Sequence, residues 1–291
     1  MHPAPSVIIF TSLSGLGFGL MFFLGFGMPE VTGWSAFWFY FVAYALAVGG
    51  LISSTLHLGN PQRAMNAFSQ WRTSWLSREG VASVATLFIV AVYAIGLIFF
   101  GARLEVLGWI GGILSLVTVF TTSKIYNQLK TVPRWHMPIT PGLFLTYSLS
   151  GGALLSGEIT TAAILLLVLT AMQVAAWQMG DKAFKNAGHT IETATGLGHL
   201  GKVRLLEGPH SSPNYLMKEM VHVVGRKHSQ KLRWIAGVTL GVVPAVLLLL
   251  LEFSHSIALV AVASHLIGLF VSRWLFFAEA EHVVGLYYDK R

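Results

Sequence analysis

The chain has 291 residues, of which 54% are hydrophobic and only 11% are charged, and its formal net charge is +7. Soluble domains usually carry about 25% charged residues, so this composition excludes an ordinary soluble enzyme and favours an integral membrane protein. The sequence contains no cysteine, which excludes disulfides, cysteine-ligated iron–sulfur clusters and cysteine-ligated zinc from this chain.

Eight apolar segments are predicted to cross the membrane, because a helix needs roughly 20 apolar residues to span the bilayer. The first segment lacks a basic leading stretch and a small-residue cleavage site, which favours a retained helix over a signal peptide. The fifth is the shortest and contains Gly151-Gly152. The sequence therefore predicts an all-α integral membrane protein. Its eight predicted spans are Val7–Met28, Trp34–His57, Val81–Gly101, Val106–Ile125, Gly142–Gly157, Ile159–Met179, Trp234–Leu251 and Ser256–Ala278.

The basic residues are distributed as an eight-span topology requires. Seventeen of the 19 Lys and Arg residues would lie at the termini or near the loops that follow the second, fourth and sixth spans. Arg103 alone would lie in the opposite loops, and Arg273 falls within the eighth span. Because basic loops remain in the cytoplasm, we predict that both termini are cytoplasmic. Topology thus explains the net charge, and no nucleic-acid partner is expected.

A long basic segment at residues 180–233 separates the sixth and seventh spans, within a single predicted membrane domain at residues 1–291. Apolar residues recur in it at helical spacing and predict an amphipathic helix. Such a helix could lie on anionic lipid or dock a partner protein, and the sequence does not choose between the two. The apolar residues at this spacing are Leu216, Met220, Val223 and Val224.

Ionisable residues beside hydrocarbon mark the stretch between the second and third spans as a candidate site. A single arginine at a helix end often only extends its charge towards lipid headgroups. Here, however, polar groups from distant parts of the sequence are predicted to reach one level of the cytoplasmic face, and they include a histidine and a glutamate. This convergence favours a functional cluster. Its members are His57, Arg63, Arg78, Glu79, Lys124, Tyr126, Asn127, Arg273, Glu279, Glu281 and His282.

The combination of groups is typical of a quinone site, which needs an apolar groove for the ring, a donor to each carbonyl oxygen and a titratable group. His57 exchanges protons near neutral pH. Glu79 could pass those protons to or from the cytoplasm. Nearby aromatic residues could wall the ring or serve as ordinary interfacial anchors, and these residues are Trp71, Trp75, Tyr126 and Trp135.

Haem is the alternative cofactor, because 11 histidines could supply axial ligands. His265 is predicted near mid-membrane, but no second histidine is expected at that depth. We therefore predict that this chain holds no haem.

Three motifs resemble the membrane-anchor subunit of the dimethyl sulfoxide reductase family, and the resemblance covers nearly the whole chain. The motifs are Thr55-Leu-His57-Leu-Gly59-Asn-Pro61-Gln-Arg63-Ala with Leu76-Ser77-Arg78-Glu79, Ile125-Tyr126-Asn127-Gln-Leu-Lys-Thr131-Val-Pro133-Arg-Trp135, and Gly268-Leu-Phe-Val-Ser-Arg273-Trp-Leu-Phe276-Phe277. The resemblance implies an anchor in the bacterial inner membrane that exchanges electrons with quinone. It also implies two partners on the cytoplasmic side, an iron–sulfur (B) subunit carrying 4Fe–4S clusters and a molybdopterin catalytic (A) subunit. His57 matches the family histidine associated with quinol binding, and Glu79 matches an acidic position near it.

Two features are more similar to the anchors of cytoplasmic quinone-linked sulfite dehydrogenases in the same superfamily, namely the long basic segment and the start of the chain at Met1-His2-Pro3-Ala4. Two motifs within the segment share this similarity: Leu205-Leu206-Glu207-Gly208-Pro209-His210 and Asn214-Tyr215-Leu216-Met217-Lys218-Glu219-Met220. This similarity implies that sulfite oxidation is coupled to reduction of ubiquinone or menaquinone. The alternatives are an anchor of a dimethyl sulfoxide (or other S- or N-oxide) reductase that oxidises menaquinol, and a purely structural anchor. A transporter is disfavoured, because its polar site would lie near the midplane. The predicted quinone-binding residues are His57, Arg63, Arg78, Glu79, Tyr126, Trp135 and Arg273, with proton transfer by His57 and Glu79.

Overall fold

A computed structural model describes residues 1–56, 60–208, 212, 214–221, 227–252 and 254–289, without the side chains at 61–64 and 67. Every regular element within these ranges is helical. Short 3-10 helices occur at Pro61–Gln70, Gly198–Leu200 and Val283–Tyr288. The α-helices of the described ranges are α1 (Pro5–Gly25), α2 (Gly33–Thr55), α3 (Trp75–Phe100), α4 (Glu105–Asn127), α5 (Ile139–Ser156), α6 (Ile159–Asn186), α7 (Ile191–Thr195), α8 (Tyr215–Glu219), α9 (Ser229–Gly237), α10 (Val243–Leu250) and α11 (His255–Ala278).

Seven helical segments of the described chain are long and apolar enough to cross a membrane. They are α1 to α4, α6, α11 and the stretch Ser229–Leu250, in which a π-helical turn at Val238–Val242 joins α9 to α10. The prediction of an all-α chain with multiple apolar helices is therefore confirmed. α5 falls at the fifth predicted span and has 18 residues, but it is rich in Ser, Thr and Gly. Most of α5 is buried among the other helices, so few of its side chains need to be apolar enough to face lipid.

α3 begins at Trp75, six residues before the predicted start of the third span. The cause is local, because the Ser74 hydroxyl accepts a hydrogen bond from the amide of Ser77 and caps the first turn. Arg78 and Glu79 therefore lie in the first turns of a helix and not in the preceding loop.

α6 continues to Asn186, beyond the predicted end of the sixth span at Met179. The stretch that holds the seventh span likewise begins at Ser229, before Trp234. Both extensions are polar turns. Hydropathy predicts where a chain leaves the hydrocarbon, whereas backbone hydrogen bonding determines where the helix ends.

α1 occupies the centre of the bundle and packs against α2, α4 and α5. Its approach to α5 requires glycine: a Cβ atom on Gly19 would lie 1.9 Å from the carbonyl oxygen of Ser148. Small residues commonly allow such backbone contact between membrane helices. α1 is therefore a buried core element and not a peripheral anchor.

Both ends of the described chain meet at one end of the bundle, which we call the termini face. The ammonium group of Met1 donates to the carbonyl of Ala280, 2.7 Å away. The end of α2 is held at the same face, because the Ser53 hydroxyl donates to the Ser6 carbonyl at 2.9 Å. At the opposite end, Arg103 forms an ion pair of 2.8 Å with an acidic residue of the α1–α2 loop, Glu30.

The long segment after α6 folds across the termini face. The amide of His2 donates to the carbonyl of Glu219 at 2.7 Å, which ties α8 to the N-terminus. The Tyr287 hydroxyl donates to the carbonyl of Ala194 at 2.6 Å. The predicted amphipathic helix is represented by the five residues of α8, whereas the predicted contributions of Val223 and Val224 lie outside the described residues.

Candidate functional site

A groove of about 350 Å³ opens at the termini face, and we call it the termini groove. Ligand pockets commonly have volumes of about 300–1,000 Å³ and mostly apolar walls with a few polar groups. The groove is formed by the N-terminus, the start of α1, the end of α2, the start of α3, the end of α4, α8 and the end of α11. Its lining includes Ser54, Leu76, Tyr126, Trp135, Tyr215 and Phe277.

Tyr126 and Trp135, two of the predicted site residues, form the aromatic wall of this groove. Their ring centroids lie 5.4 Å apart in an edge-to-face arrangement. Trp135 also stacks on Phe276 at 5.3 Å, and its indole Nε1–H donates to the Phe276 carbonyl at 2.8 Å. The Tyr126 hydroxyl donates to no group within the part of the chain that the structure describes. The aromatic wall is thus rigid, while its single phenol, the hydroxyl of Tyr126, is available to a ligand.

Asn127 fixes the loop that carries Trp135. The side-chain amide of Asn127 donates to the Met137 carbonyl at 2.8 Å. The backbone carbonyl oxygen of Asn127 lies 2.6 Å from Nδ1 of His136. The Thr140 hydroxyl donates to the Trp135 carbonyl at 2.9 Å. Asn127 follows two residues after the predicted end of the fourth span, and the sequence carries no signal for this positioning role.

Glu79 lies one helical turn deeper than Leu76 and is buried, with 4% exposure. Its Oε1 accepts a hydrogen bond from the hydroxyl of Thr122, which itself lies one turn before Tyr126 on α4. Thr122 Oγ1 also lies 3.0 Å from the carbonyl of Thr118. A protonated Glu79 can therefore donate to Thr122, which then donates to Thr118, whereas an ionised Glu79 accepts from Thr122. The hydrogen bond between Glu79 and Thr122 therefore exists whether or not the carboxyl carries a proton.

Arg273 does not line the termini groove, although it is buried with 2% exposure. Its guanidinium carbon lies 4.0 Å from the ring centroid of Phe144 and 4.2 Å from that of Tyr147, so cation–π contacts support it. None of the ion pairs found among the described residues involves Arg273, and its Nε has no hydrogen-bond partner there. Phe277, one turn later on α11, is the residue that reaches the groove.

Arg78 turns away from the groove and stabilises the start of α3. Its Nε donates to the Trp71 carbonyl at 3.0 Å, and its Nη2 donates to the Arg72 carbonyl at 2.6 Å. Its guanidinium carbon lies 4.3 Å from the ring centroid of Trp75. Arg78 therefore orders the turn that positions Leu76 and Glu79.

The remaining predicted residues belong to the segment after α2. His57 lies outside the described residues, and Arg63 belongs to the 3-10 helix Pro61–Gln70 without a described side chain. Ser54, three residues before His57, lines the termini groove.

A cluster of four charged residues lies beside the groove at the same face, and the sequence analysis did not identify it. Arg134 contacts Asp181 at 2.6 Å and Glu279 at 3.3 Å. Arg233 contacts the same two carboxylates at 2.6 and 2.7 Å. The four residues come from four separate segments, so no local pattern could have indicated the cluster. It ties the loop before α5 to α6, α9 and the end of α11.

His265 is buried, and its Nδ1 lies 2.7 Å from the carbonyl of Leu240 in the π-helical turn. Such a turn displaces the regular hydrogen bonds of a helix, which leaves a carbonyl available to the histidine. Among the described residues, no group of three or more His, Cys, Asp or Glu side chains could hold a metal ion.

Comparison with known proteins gives a consistent assignment. The family model described as DMSO reductase anchor subunit (DmsC) matches residues 1–278. The C subunit of the sulfite dehydrogenase of Allochromatium vinosum is 32% identical over 325 aligned positions, which cover 99% of each protein. The C chain of the anaerobic dimethyl sulfoxide reductase of Escherichia coli is 37% identical over 111 residues, covering 35% of this protein and 37% of that one. The anaerobic dimethyl sulfoxide reductase chain named YnfH, from the same organism, is 35% identical over 130 residues, covering 43% of each protein. No solved structure matches significantly.

The family match spans the helices that build the termini groove, from the N-terminus to the end of α11. The full-length relative extends the similarity to the rest of the chain. This chain belongs to the DMSO reductase anchor subunit family of membrane proteins.

Proposed function

We propose that this chain anchors a molybdopterin and iron–sulfur oxidoreductase in the membrane and passes electrons between the iron–sulfur subunit and membrane quinone. The observation that carries the proposal is the termini groove. It has a suitable volume, an aromatic wall and a free phenol, and it lies one helical turn from a buried carboxyl that can exchange a proton.

The residues of the groove fit a quinone. Trp135 and Phe277 offer apolar surfaces to the ring, and the Tyr126 hydroxyl offers a donor to one carbonyl oxygen. We propose that His57 supplies the second donor, since it follows only three residues after Ser54, which lines the groove. Arg63 follows on the adjoining 3-10 helix and would contribute positive charge.

Glu79, hydrogen-bonded to Thr122, would hold the proton that the quinone exchanges. Quinone supplies the two-electron chemistry, while the chain binds the ring, orients its carbonyl oxygens and exchanges protons with them. Arg78 and Arg273 would support this site indirectly, because Arg78 orders the start of α3 and Arg273 packs behind the aromatic wall.

We also propose eight membrane crossings within one domain at residues 1–291, with both termini in the cytoplasm. The hydrogen bond between Met1 and Ala280 supports an even number of crossings, because it joins the two ends of the bundle at one face. α5 would provide the eighth crossing, and at roughly 1.5 Å per residue its 18 residues measure close to the hydrocarbon thickness. The sequence assigns 17 of the 19 basic residues to the termini and to the loops on the same side, which supports a cytoplasmic position for this face.

The iron–sulfur (B) subunit would dock on the termini face, with residues 180–233 as the docking segment, and would connect to the molybdopterin (A) subunit. This placement brings an electron donor to the mouth of the groove. The membrane would be the bacterial inner membrane. No haem or cluster is needed in this chain if the quinone lies within electron-transfer reach of the partner.

Sulfite oxidation coupled to quinone reduction is the reaction we favour. The relative that matches 99% of this chain is named as a sulfite dehydrogenase subunit, whereas the two dimethyl sulfoxide reductase chains match less than half of it. Reduction of dimethyl sulfoxide or another S- or N-oxide by menaquinol is the alternative.

The test is turnover of the purified complex with decylubiquinone and sulfite, alongside dimethyl sulfoxide reduction by a reduced menaquinone analogue. We expect sulfite-dependent reduction of decylubiquinone, and we expect His57→Ala to abolish it while the three subunits still co-purify. Ferricyanide, which accepts electrons from the partners directly, controls for an intact catalytic subunit. Normal quinone kinetics in His57→Ala would contradict the role of that residue. A wild-type complex that reacts with ferricyanide but with neither quinone would indicate a purely structural anchor.

A further inference from the structure

Several buried polar atoms of the bundle have no hydrogen-bond partner among the described residues, and three of these atoms lie around Arg273. Within the described chain, Ser12 Oγ, Ser272 Oγ and Arg273 Nε are buried without a hydrogen-bond partner. Leaving such a group unpaired costs about 1–3 kcal/mol. Three in one place therefore indicate that something polar binds there.

Two small cavities adjoin these atoms. The inner cavity, of about 10 Å³, is lined by Ser12, Thr122, Tyr147 and Arg273 among others. The outer cavity, of about 30 Å³, is lined by Gln173, Ser272, Glu279, Tyr147 and Arg273 among others. A water molecule needs roughly 10–15 Å³ of such space and two to four polar partners. The cavities therefore suit single water molecules and are too small for a lipid tail or a quinone ring.

The two cavities lie in sequence between the termini groove and the charged cluster. Thr122 lines the inner cavity and donates to Glu79, which lies one turn from the groove. Glu279 lines the outer cavity and pairs with Arg233, which pairs in turn with Asp181. The side chain of Asp181 is 45% exposed and reaches the termini face.

We propose that ordered water molecules in the inner and outer cavities form a proton route between Glu79 and the termini face, with Arg273 and Tyr147 at its centre. The proposal rests on the proposed function, because it names the path by which protons reach the quinone site.

Tyr147 is the link between the two cavities, since it lines both of them. Its hydroxyl donates to Oε1 of Gln173 at 2.6 Å. A hydroxyl group both accepts and donates, so it can receive a proton from water on one side while releasing its own on the other. No charged tyrosine is required.

Arg273 would act as a positioning residue. A guanidinium group does not deprotonate in proteins, so Arg273 carries no proton itself. It donates hydrogen bonds and would orient the water molecules of both cavities. No carboxylate among the described residues forms an ion pair with Arg273, so its donors remain available to that water.

The proton balance of the proposed reaction is simple. Reduction of one quinone to quinol consumes two protons and two electrons, and the partner iron–sulfur subunit would deliver the electrons one at a time. Each proton that leaves Glu79 is replaced through the inner cavity, Tyr147 and the outer cavity from water at Asp181 and Glu279. When quinol is oxidised instead, two protons move outward along the same path.

Tyr147→Phe tests the route, because it removes the bridging hydroxyl but keeps the ring on which Arg273 stacks. The matched control is Tyr44→Phe, whose hydroxyl donates to the Leu87 carbonyl at 2.6 Å and lies at neither cavity. Both variants would be purified as complete complexes and assayed with sulfite and decylubiquinone, in H₂O and in D₂O, with ferricyanide as the acceptor that bypasses this chain.

We expect Tyr147→Phe to lower kcat for decylubiquinone by about a hundredfold, which is the scale of assisted proton transfer. KM and ferricyanide turnover should not change, and the solvent isotope effect should rise, because proton delivery becomes rate-limiting. Tyr44→Phe should match the wild type. An unchanged kcat and isotope effect in Tyr147→Phe would overturn the route while leaving the proposed function intact. A wild-type complex that reacts with ferricyanide but neither reduces decylubiquinone nor oxidises the reduced menaquinone analogue would overturn the proposed function itself.

Discussion

Thr122 on α4 donates a hydrogen bond to the buried carboxyl of Glu79 on α3, and this pair separates the termini groove from the inner cavity. Glu79 is buried and lies one turn from Leu76 of the groove lining. Glu279, another buried carboxylate near the groove, is instead held in ion pairs by Arg134 and Arg233. The Thr122 hydroxyl makes the burial of Glu79 tolerable, because a buried polar group without a partner is costly.

Thr122→Val should therefore weaken the site specifically. The valine keeps the shape of the side chain but leaves Glu79 without its hydrogen bond, at a cost of about 1–3 kcal/mol. Decylubiquinone turnover should fall by about tenfold or more, since the carboxyl is no longer held in position. Thr121→Val is the control, because its hydroxyl bonds only to the Thr118 carbonyl at 2.7 Å. Equal effects of the two variants on turnover would show that Thr122 acts only in packing.

Trp135→Ala should raise KM for decylubiquinone more than it lowers kcat. The change removes one wall of the groove and the hydrogen bond to the Phe276 carbonyl, but it leaves Glu79 and Thr122 in place. Trp34→Ala provides the control, because this tryptophan is 78% exposed at the start of α2. A normal KM in Trp135→Ala, measured with the purified complex, would exclude Trp135 from the quinone site.

Arg233→Gln should destabilise the protein, because Glu279 is 4% exposed and would retain only the 3.3 Å contact with Arg134. Breaking a buried ion pair costs about 3–5 kcal/mol, and partial exposure of Asp181 reduces this value. Arg103→Gln is the matched control, since its partner Glu30 is 77% exposed and such pairs contribute about 1 kcal/mol or less. Thermal unfolding in detergent should show a larger fall in Tm for Arg233→Gln. The reverse order would mean that the cluster does not stabilise the fold.

Gly19→Ala should prevent the assembly of α1 with α5. The added methyl group would meet the backbone of Ser148, which cannot move without displacing the helix. Gly15→Ala is the control, because nothing lies within 4 Å of a Cβ atom at that position. The yield of folded, monodisperse protein would be measured by size-exclusion chromatography. If Gly19→Ala gave as much folded protein as the wild type, the backbones of α1 and α5 would not approach each other this closely in the membrane.

Composition and periodicity predicted the all-helical membrane fold, because long apolar segments have few alternatives in a bilayer. They predicted helix ends poorly. The Ser74 cap adds about two turns to the start of α3, and polar residues extend α6 past its apolar segment. Hydropathy could not predict either extension, because neither depends on apolar residues.

The sequence also predicted Tyr126 and Trp135 as aromatic walls, and the structure places both on the groove. It assigned Glu79 to a loop, whereas helix geometry places it below the groove beside Thr122. The contacts of Thr122, Tyr147 and Asp181 come from pairs of distant segments, so they became visible only with the three-dimensional arrangement.

Photoaffinity labelling of the purified complex with an azido-ubiquinone would show whether quinone binds in the termini groove. After proteolysis and mass spectrometry, we expect label on the peptides that contain Leu76, Tyr126 or Trp135, and loss of that label when excess decylubiquinone is present. A second cavity of about 680 Å³, lined by Lys130 and Lys182 among others, lies at the end of α6. If decylubiquinone instead displaced label only from the α6 peptide that carries Lys182, with no label on the groove peptides, quinone would bind in this second cavity and not in the termini groove.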